Sequence, residues 1–224
     1  MNHDKTTIES IKQTAQGDTP ILSKSDLSKE NQQKNPIYSK QKTITLSITI
    51  VAIFSSLIVA SGYALTFLPN IEIITMLTFM GGLLFGKTKG TLIGLISSII
   101  YRVFNFYGAS LPPLLLVQVL FYTFLGLLGG MIHGTSFRKE VTAKSQAFFC
   151  IVGILFASAH LVVSDLVDSL LIRQLPFIVV FLSGIPFTLT NIILNAITFG
   201  LVCPLIIVQL DPYLKTKFPK VFLD

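Results

Sequence analysis

The chain has 224 residues, of which 51% are hydrophobic and only 12% charged, about half the charged fraction of a soluble domain. Its formal net charge of +6 raises the question of nucleic acid, but the charges lie between long apolar blocks and form no basic patch, which excludes that class of partner. The two cysteines, Cys150 and Cys203, fall inside apolar blocks without a CxxC or a His/Cys cluster, so neither a metal site nor a disulfide framework is expected.

In chain order, Met1 to Lys42 is polar and lacks periodic hydrophobicity, the composition of a disordered tail. No apolar core of a secretory signal occurs in the first 40 residues. Thr43 to Leu68 is apolar for long enough to cross the ~30 Å hydrocarbon layer, and Pro69-Asn70 ends it. A second, short helix is expected over Ile71 to Phe85, closed by a turn at Gly86-Lys87-Thr88-Lys89-Gly90, and a third over Thr91 to Phe106. Tyr107 to Pro113 is a loop by its Gly and tandem Pro, followed by a fourth helix over Leu114 to Ile132.

A polar loop over His133 to Lys144 precedes a fifth span over Ser145 to Val163. Ser164 to Gly184 reads as a structured loop, because Asp165, Asp168 and Arg173 interrupt the apolar signal. The sixth helix is placed from Pro186 to Leu210. The expected fold is therefore an all-α integral membrane protein, a bundle of six transmembrane helices. Its parts are a disordered cytoplasmic tail over 1–42, a membrane domain over 43–210 and a short cytoplasmic tail over 211–224.

Orientation follows from the basic residues, since cytoplasmic loops carry the excess of Lys and Arg. With both termini in the cytoplasm, fifteen of the seventeen lie on that side, and only Arg102 and Arg173 fall elsewhere. The same topology gathers Glu72, Arg102, Asp165, Asp168 and Arg173 at the outer surface. Such groups are costly in lipid unless they face a cavity or one another. Asn70, Asn105, Tyr107, Gln118 and Tyr122 add polar atoms at a similar depth. An outward-facing polar pocket for a small ligand is thus expected from Asn70, Glu72, Arg102, Asn105, Tyr107, Gln118, Tyr122 and Asp165. Asn191 and Asn195 share a helix face as interhelical glue.

Helix one carries small residues at every fourth position, Ala52, Ser56, Ala60 and Ala64, which line one face. That face serves either close packing within the bundle or docking of another subunit. Phe156 to His160 matches an FxxxH fragment of intramembrane proteases, but their paired-glutamate motif is missing. No HExxH, GxSxG or Walker sequence occurs. Catalytic residues and cofactors are therefore not expected, and active import would need an ion gradient or a partner ATPase.

Three ordered runs carry a family resemblance: Leu68 to Thr75; Gly81-Gly82-Leu83-Leu84-Phe85-Gly86; and Gly90 to Ser97. With Gln118, the glycines 126, 129 and 130, and Gly184 to Thr188 followed by Asn191 and Asn195, these resemble the substrate-specific (S) component of energy-coupling factor (ECF) transporters. Within that family the chain looks most like the branch that includes cobalamin-type S components, although it lacks tryptophan in the outer loop at Phe106 to Pro113.

The resemblance implies a multi-pass cell-membrane protein that captures a vitamin-like ligand on the outer face. It also implies docking through Ala52, Ser56, Ala60 and Ala64 onto a membrane coupling subunit that works with two cytoplasmic ATPases. The alternative reading, from another class, is a stand-alone secondary transporter or channel-like protein.

Overall fold

The computed structural model describes residues 36–67, 73–105, 108–135 and 140–217. Compactness divides the chain between Lys42 and Thr43, and the packing described below belongs to the second unit. Among the described residues there are only helices and their connections: α1 (Pro36–Ala64), α2 (Ile73–Phe85), α3 (Lys87–Val103), α4 (Pro112–Met131), α5 (Ala143–Val167), α6 (Phe177–Ile197) and α7 (Cys203–Lys217). A π-helical turn, Asp168–Arg173, continues α5, and a second, Thr198–Val202, joins α6 to α7 without a break.

Four of these helical rods are long and apolar enough to cross a membrane: Gln41–Ala64, Pro112–Met131, Ala143–Arg173 and Phe177–Lys217. Their outer faces expose large apolar side chains, among them Ile48, Ile53, Leu116, Leu120, Leu155 and Leu182, which suits contact with lipid rather than water. The 13 residues of α2 rise only ~20 Å. Every one from Ile74 to Phe85 is buried, so α2 is sheathed by protein, and its shortness brings no mismatch with the hydrocarbon layer.

Glycine makes that sheath tight. A Cβ on Gly82 would land on the Gly126 carbonyl oxygen, one on Gly126 on the Gly90 carbonyl oxygen, and one on Gly129 on the Phe79 carbonyl oxygen. At these points α2, α3 and α4 touch backbone to backbone, the close approach that small residues permit where lipid removes the hydrophobic drive. His133 adds a clasp just beyond α4, donating from Nδ1 to the Leu83 carbonyl oxygen at 2.8 Å. On the other side of α2, Phe79 packs against Phe149 of α5 and Phe199 of the second π turn, with ring centroids 5.9 and 5.4 Å apart.

Several sequence expectations need correction. The helix α1 begins at Pro36, inside the stretch read as tail, because Pro is well placed in a first turn and Lys40, Gln41 and Lys42 are good helix formers. Between α2 and α3 only Gly86 leaves helical geometry, at φ +88°, a conformation suited to glycine. The expected five-residue turn is thus a single residue.

Thr142 and Ser145 cap α5 reciprocally. The expected loop over Ser164 to Gly184 is mostly helix: α5 runs on through its π turn to Arg173, and Gln174 at φ 54° ends it before α6 starts at Phe177. Pro186 does not start the last helix but lies inside α6. The rod from Phe177 to Lys217 has 41 residues, about 60 Å of helix, and it enters the segment read as the C-terminal tail as far as Lys217. Its π turn precedes Pro204, whose ring would strike the carbonyl four residues back in a regular α-helix.

Candidate functional site

At the end of the bundle reached by the C-termini of α1, α3 and α5, polar side chains converge from five helices. Arg102, in the last turn of α3, is only 9% exposed. Its Nη2 donates to the Tyr122 hydroxyl of α4 at 3.2 Å, and its guanidinium carbon lies 5.4 and 5.5 Å from the ring centroids of Tyr101 and Tyr122. These aromatic faces stabilise a cation that has little water around it. Since arginine only donates, the Tyr122 oxygen accepts from it. Thr75 Oγ1 of α2 lies 3.4 Å from the same Tyr122 oxygen.

Tyr122 is 1% exposed and also forms one wall of an aromatic group with Phe121, Phe156 and His160. The His160 ring stands 5.4 Å from Phe121, 5.7 Å from Tyr122 and 6.3 Å from Phe156, on which it stacks. The spacing of Phe156 and His160 is thus a packing device of α5, one turn apart on the face toward α4. Nearer the loop, Ser110 donates from Oγ to Oε1 of buried Gln118 at 3.1 Å, and its backbone N–H donates to the Arg102 carbonyl at 3.1 Å. Tyr63 of α1 closes the same end by donating to the Phe104 carbonyl at 2.8 Å.

Of the eight expected ligand-site residues, Arg102, Gln118 and Tyr122 are buried at this end, and Asn105 is half-buried in the loop beside them. Asn70, Glu72 and Tyr107 lie outside the described residues. Asp165 faces a different neighbour: its Oδ2 lies 3.9 Å from where a Cβ on Gly184 of α6 would stand. Asp165 Oδ2 and the adjacent Ser164 Oγ are buried without a hydrogen-bond partner among the described residues. Three residues further on, Asp168 is paired with Arg173 at 2.8 Å.

Thr75, Ser110 and the aromatic wall of Phe121, Phe156 and His160 were not among the expected ligand-site residues. Thr75 was quoted only inside a motif, and no sequence pattern distinguishes ring walls from ordinary core. Asn191 and Asn195 do not bridge helices as expected. Asn195 Nδ2 donates to the Asn191 carbonyl and to Asn191 Oδ1, at 3.0 and 2.9 Å, within α6.

The small-residue stripe has a definite place. Ala52, Ser56, Ala60 and Ala64 are all exposed, whereas Val51, Phe54, Ser55, Ile58 and Val59 form the buried face of α1. Among the described residues, close packing therefore does not use the stripe. Among the described residues no group of three or more His, Cys, Asp or Glu could hold a metal ion.

A family profile described as "ECF-type riboflavin transporter, S component" matches residues 42–209, three quarters of the chain. The chain belongs to this family. It is accordingly a multi-pass membrane protein of the substrate-binding class of ECF transporter subunits, whose members serve transport. The match is to a riboflavin-type family and lends no support to the cobalamin-type branch suggested by the sequence. No curated protein and no solved structure matches the chain.

Proposed function

We propose that this protein captures riboflavin, or a flavin closely related to it, from outside the cell and passes it to an ATP-driven coupling module. The observation that carries the proposal is the family match over 42–209, taken together with the Arg102–Tyr122 cluster at one end of the bundle. A flavin is a flat ring system edged with carbonyl and nitrogen acceptors and bearing a polyol chain. The Tyr101, Tyr122, Phe121 and Phe156 rings offer faces for such a ring, Arg102 and Tyr122 offer donors for its edge, and the unsatisfied Ser164 and Asp165 oxygens suit the polyol hydroxyls.

In this reading the chain crosses the membrane six times with both termini in the cytoplasm. The alternation of helix direction supports it: Lys87, Lys144, Lys215 and Lys217 lie at one end, Arg102 and Arg173 at the other, as the bias of basic residues toward the cytoplasm requires. The ligand cluster then faces outward. The exposed stripe of Ala52, Ser56, Ala60 and Ala64 is the docking surface for the membrane coupling subunit, and two ATPases on the cytoplasmic side supply the energy.

The test is purification in mild detergent followed by titration with riboflavin, read by quenching of flavin fluorescence. Saturable quenching with unit stoichiometry, and thermal stabilisation of the protein by flavin, are the expected results. A protein that binds no flavin, or that moves substrate in liposomes without coupling subunits or ATP, overturns the reading.

A further inference from the structure

Gln118 brings a buried amide to the ligand cluster. It stands on α4 one turn before Tyr122, on the same buried face, and is only 8% exposed. Its Oε1 accepts from Ser110 Oγ at 3.1 Å. Among the described residues its Nε2 has no hydrogen-bond partner. A side-chain amide carries two N–H donors, and a buried donor left without a partner costs more than a typical bond gains. Ser110 is itself fixed, because its backbone N–H donates to the Arg102 carbonyl at 3.1 Å. One loop residue thus ties Gln118 to the end of α3, which carries the guanidinium that meets Tyr122.

We infer that Gln118 reads one carbonyl oxygen on the ring edge of the flavin, and that Ser110 is the residue that positions it. The inference rests on the flavin reading proposed above and names the group that gives the site its selectivity. Three observations carry it. The Ser110 hydroxyl takes the amide oxygen, which leaves the N–H donors for a ligand, and donors match an acceptor. Burial makes that match selective, since a ligand without an acceptor at this point leaves the amide unpaired where little water reaches it. The place is also right: Gln118 lies ~6 Å along α4 from Tyr122, toward the outer surface in the proposed topology, whereas Ser164 and Asp165, which suit the polyol, belong to α5.

The experiment titrates the full chain in detergent with riboflavin and with lumiflavin, which keeps the ring and replaces the polyol by a methyl group. In competition with riboflavin it also uses 2-thioriboflavin and 4-thioriboflavin, in each of which sulfur, a much weaker acceptor, replaces one ring carbonyl oxygen. The parent, Gln118→Met, Ser110→Ala and Ser110→Thr are compared, and melting temperature is read on the same samples.

The expected result is that one of the two thio analogues binds the parent about tenfold more weakly than riboflavin. Gln118→Met weakens riboflavin and lumiflavin by a similar factor and binds that thio analogue as well as it binds riboflavin. Ser110→Ala loses most of the discrimination, and Ser110→Thr, which keeps the hydroxyl, retains it. If Gln118 only pins the loop, Gln118→Met lowers melting temperature and affinity but discriminates like the parent, and that result overturns the inference. A parent that binds both thio analogues as tightly as riboflavin overturns it too, as does a Gln118→Met that weakens riboflavin but spares lumiflavin, which would move the amide to the polyol. Discrimination unchanged in Ser110→Ala overturns the role of Ser110. A parent that binds no flavin overturns the proposed function and this inference with it, and the absence of any quenching tells that failure from the others.

Discussion

Two parts of the membrane domain are packed by different means. The trio α2, α3 and α4 is joined backbone to backbone at Gly82, Gly90, Gly94, Gly126, Gly129 and Gly130. The hairpin of α5 and α6 has one such approach, at Gly153, where a Cβ would lie 2.9 Å from the Asn195 carbonyl oxygen, and otherwise meets through side chains; in α6 only Val180 and Asn195 are buried. Among the described residues Asp165, Ser164 and Asn195 each leave a buried oxygen unsatisfied there, and both π turns lie on this hairpin. Interdigitated backbone has no slack, whereas side chains can re-pack and π turns are frequent at functional sites. The trio is thus suited to be a fixed frame and the hairpin to be the element that shifts. The Arg102–Tyr122–His160 cluster straddles the seam between them.

The largest effect is expected where the frame is broken. Gly126→Val puts a branched side chain onto the Gly90 carbonyl. Overpacking costs ~1–3 kcal/mol even where neighbours can yield, and here the neighbour is backbone. Loss of monodisperse protein, or a large fall in melting temperature in detergent, is the expected outcome. The matching change in the hairpin, Gly184→Ala, has only ordinary contacts to make, with Thr188 Oγ1 at 3.8 Å and Asp165 Oδ2 at 3.9 Å. Its stability should stay within ~0.5 kcal/mol of the parent. Equal melting temperatures for the two variants would erase the distinction between frame and hairpin.

At the seam, Arg102→Gln should weaken flavin binding about ten- to a hundredfold, the range for a lost charge-assisted hydrogen bond. Tyr122→Phe keeps the ring but removes the hydroxyl that accepts from Arg102, and about a fivefold loss is expected. Fluorescence titration measures both. Arg102→Gln binding flavin as tightly as the parent would remove the guanidinium from the site.

The third prediction concerns the outer surface of α1, which packs on the frame through Phe54 against Gly81 and Gly62 against Ile74 and Tyr101. Ala60→Trp projects from the exposed face, so fold and flavin affinity should be kept while co-purification of the coupling subunit is lost. A variant that loses flavin binding with docking intact would refute the stripe's assignment.

The sequence made the helical class legible, because apolar blocks are a property of a single segment; the frame's glycines stood in it only as parts of the runs that carry the family resemblance, since which backbone each one meets is settled by packing. It also marked Arg102, Gln118 and Tyr122, since polar groups in apolar blocks are conspicuous. Two things were beyond it. Asp165, Asp168 and Arg173 lowered local hydropathy enough to suggest a loop, whereas Asp168 and Arg173 neutralise one another across a π turn and the helix continues. Pro186 suggested a helix start, but a proline inside a membrane helix is tolerated when the surroundings absorb the lost hydrogen bond. The partners of Tyr122 come from α2, α3 and α5, and that convergence is a property of packing that no single segment carries.

The smallest effect is expected at Asn195, which tests whether the hairpin's orphaned oxygens are ligand groups or remnants of packing. Asn195 is 3% exposed; its amide nitrogen is satisfied by Asn191, while its Oδ1 has no partner among the described residues. Asn195→Leu removes the desolvation cost of Oδ1 but takes the donor from Asn191 Oδ1, which is only half-buried and so loses little. Asn195→Leu should therefore leave stability within ~1 kcal/mol of the parent, measured by thermal unfolding in detergent. If Oδ1 serves only packing between α5 and α6, flavin affinity will not move. A drop in affinity at unchanged stability would instead extend the ligand's reach from the Tyr122 end to the last turn of α6, and the hairpin would then hold the ligand as well as move around it.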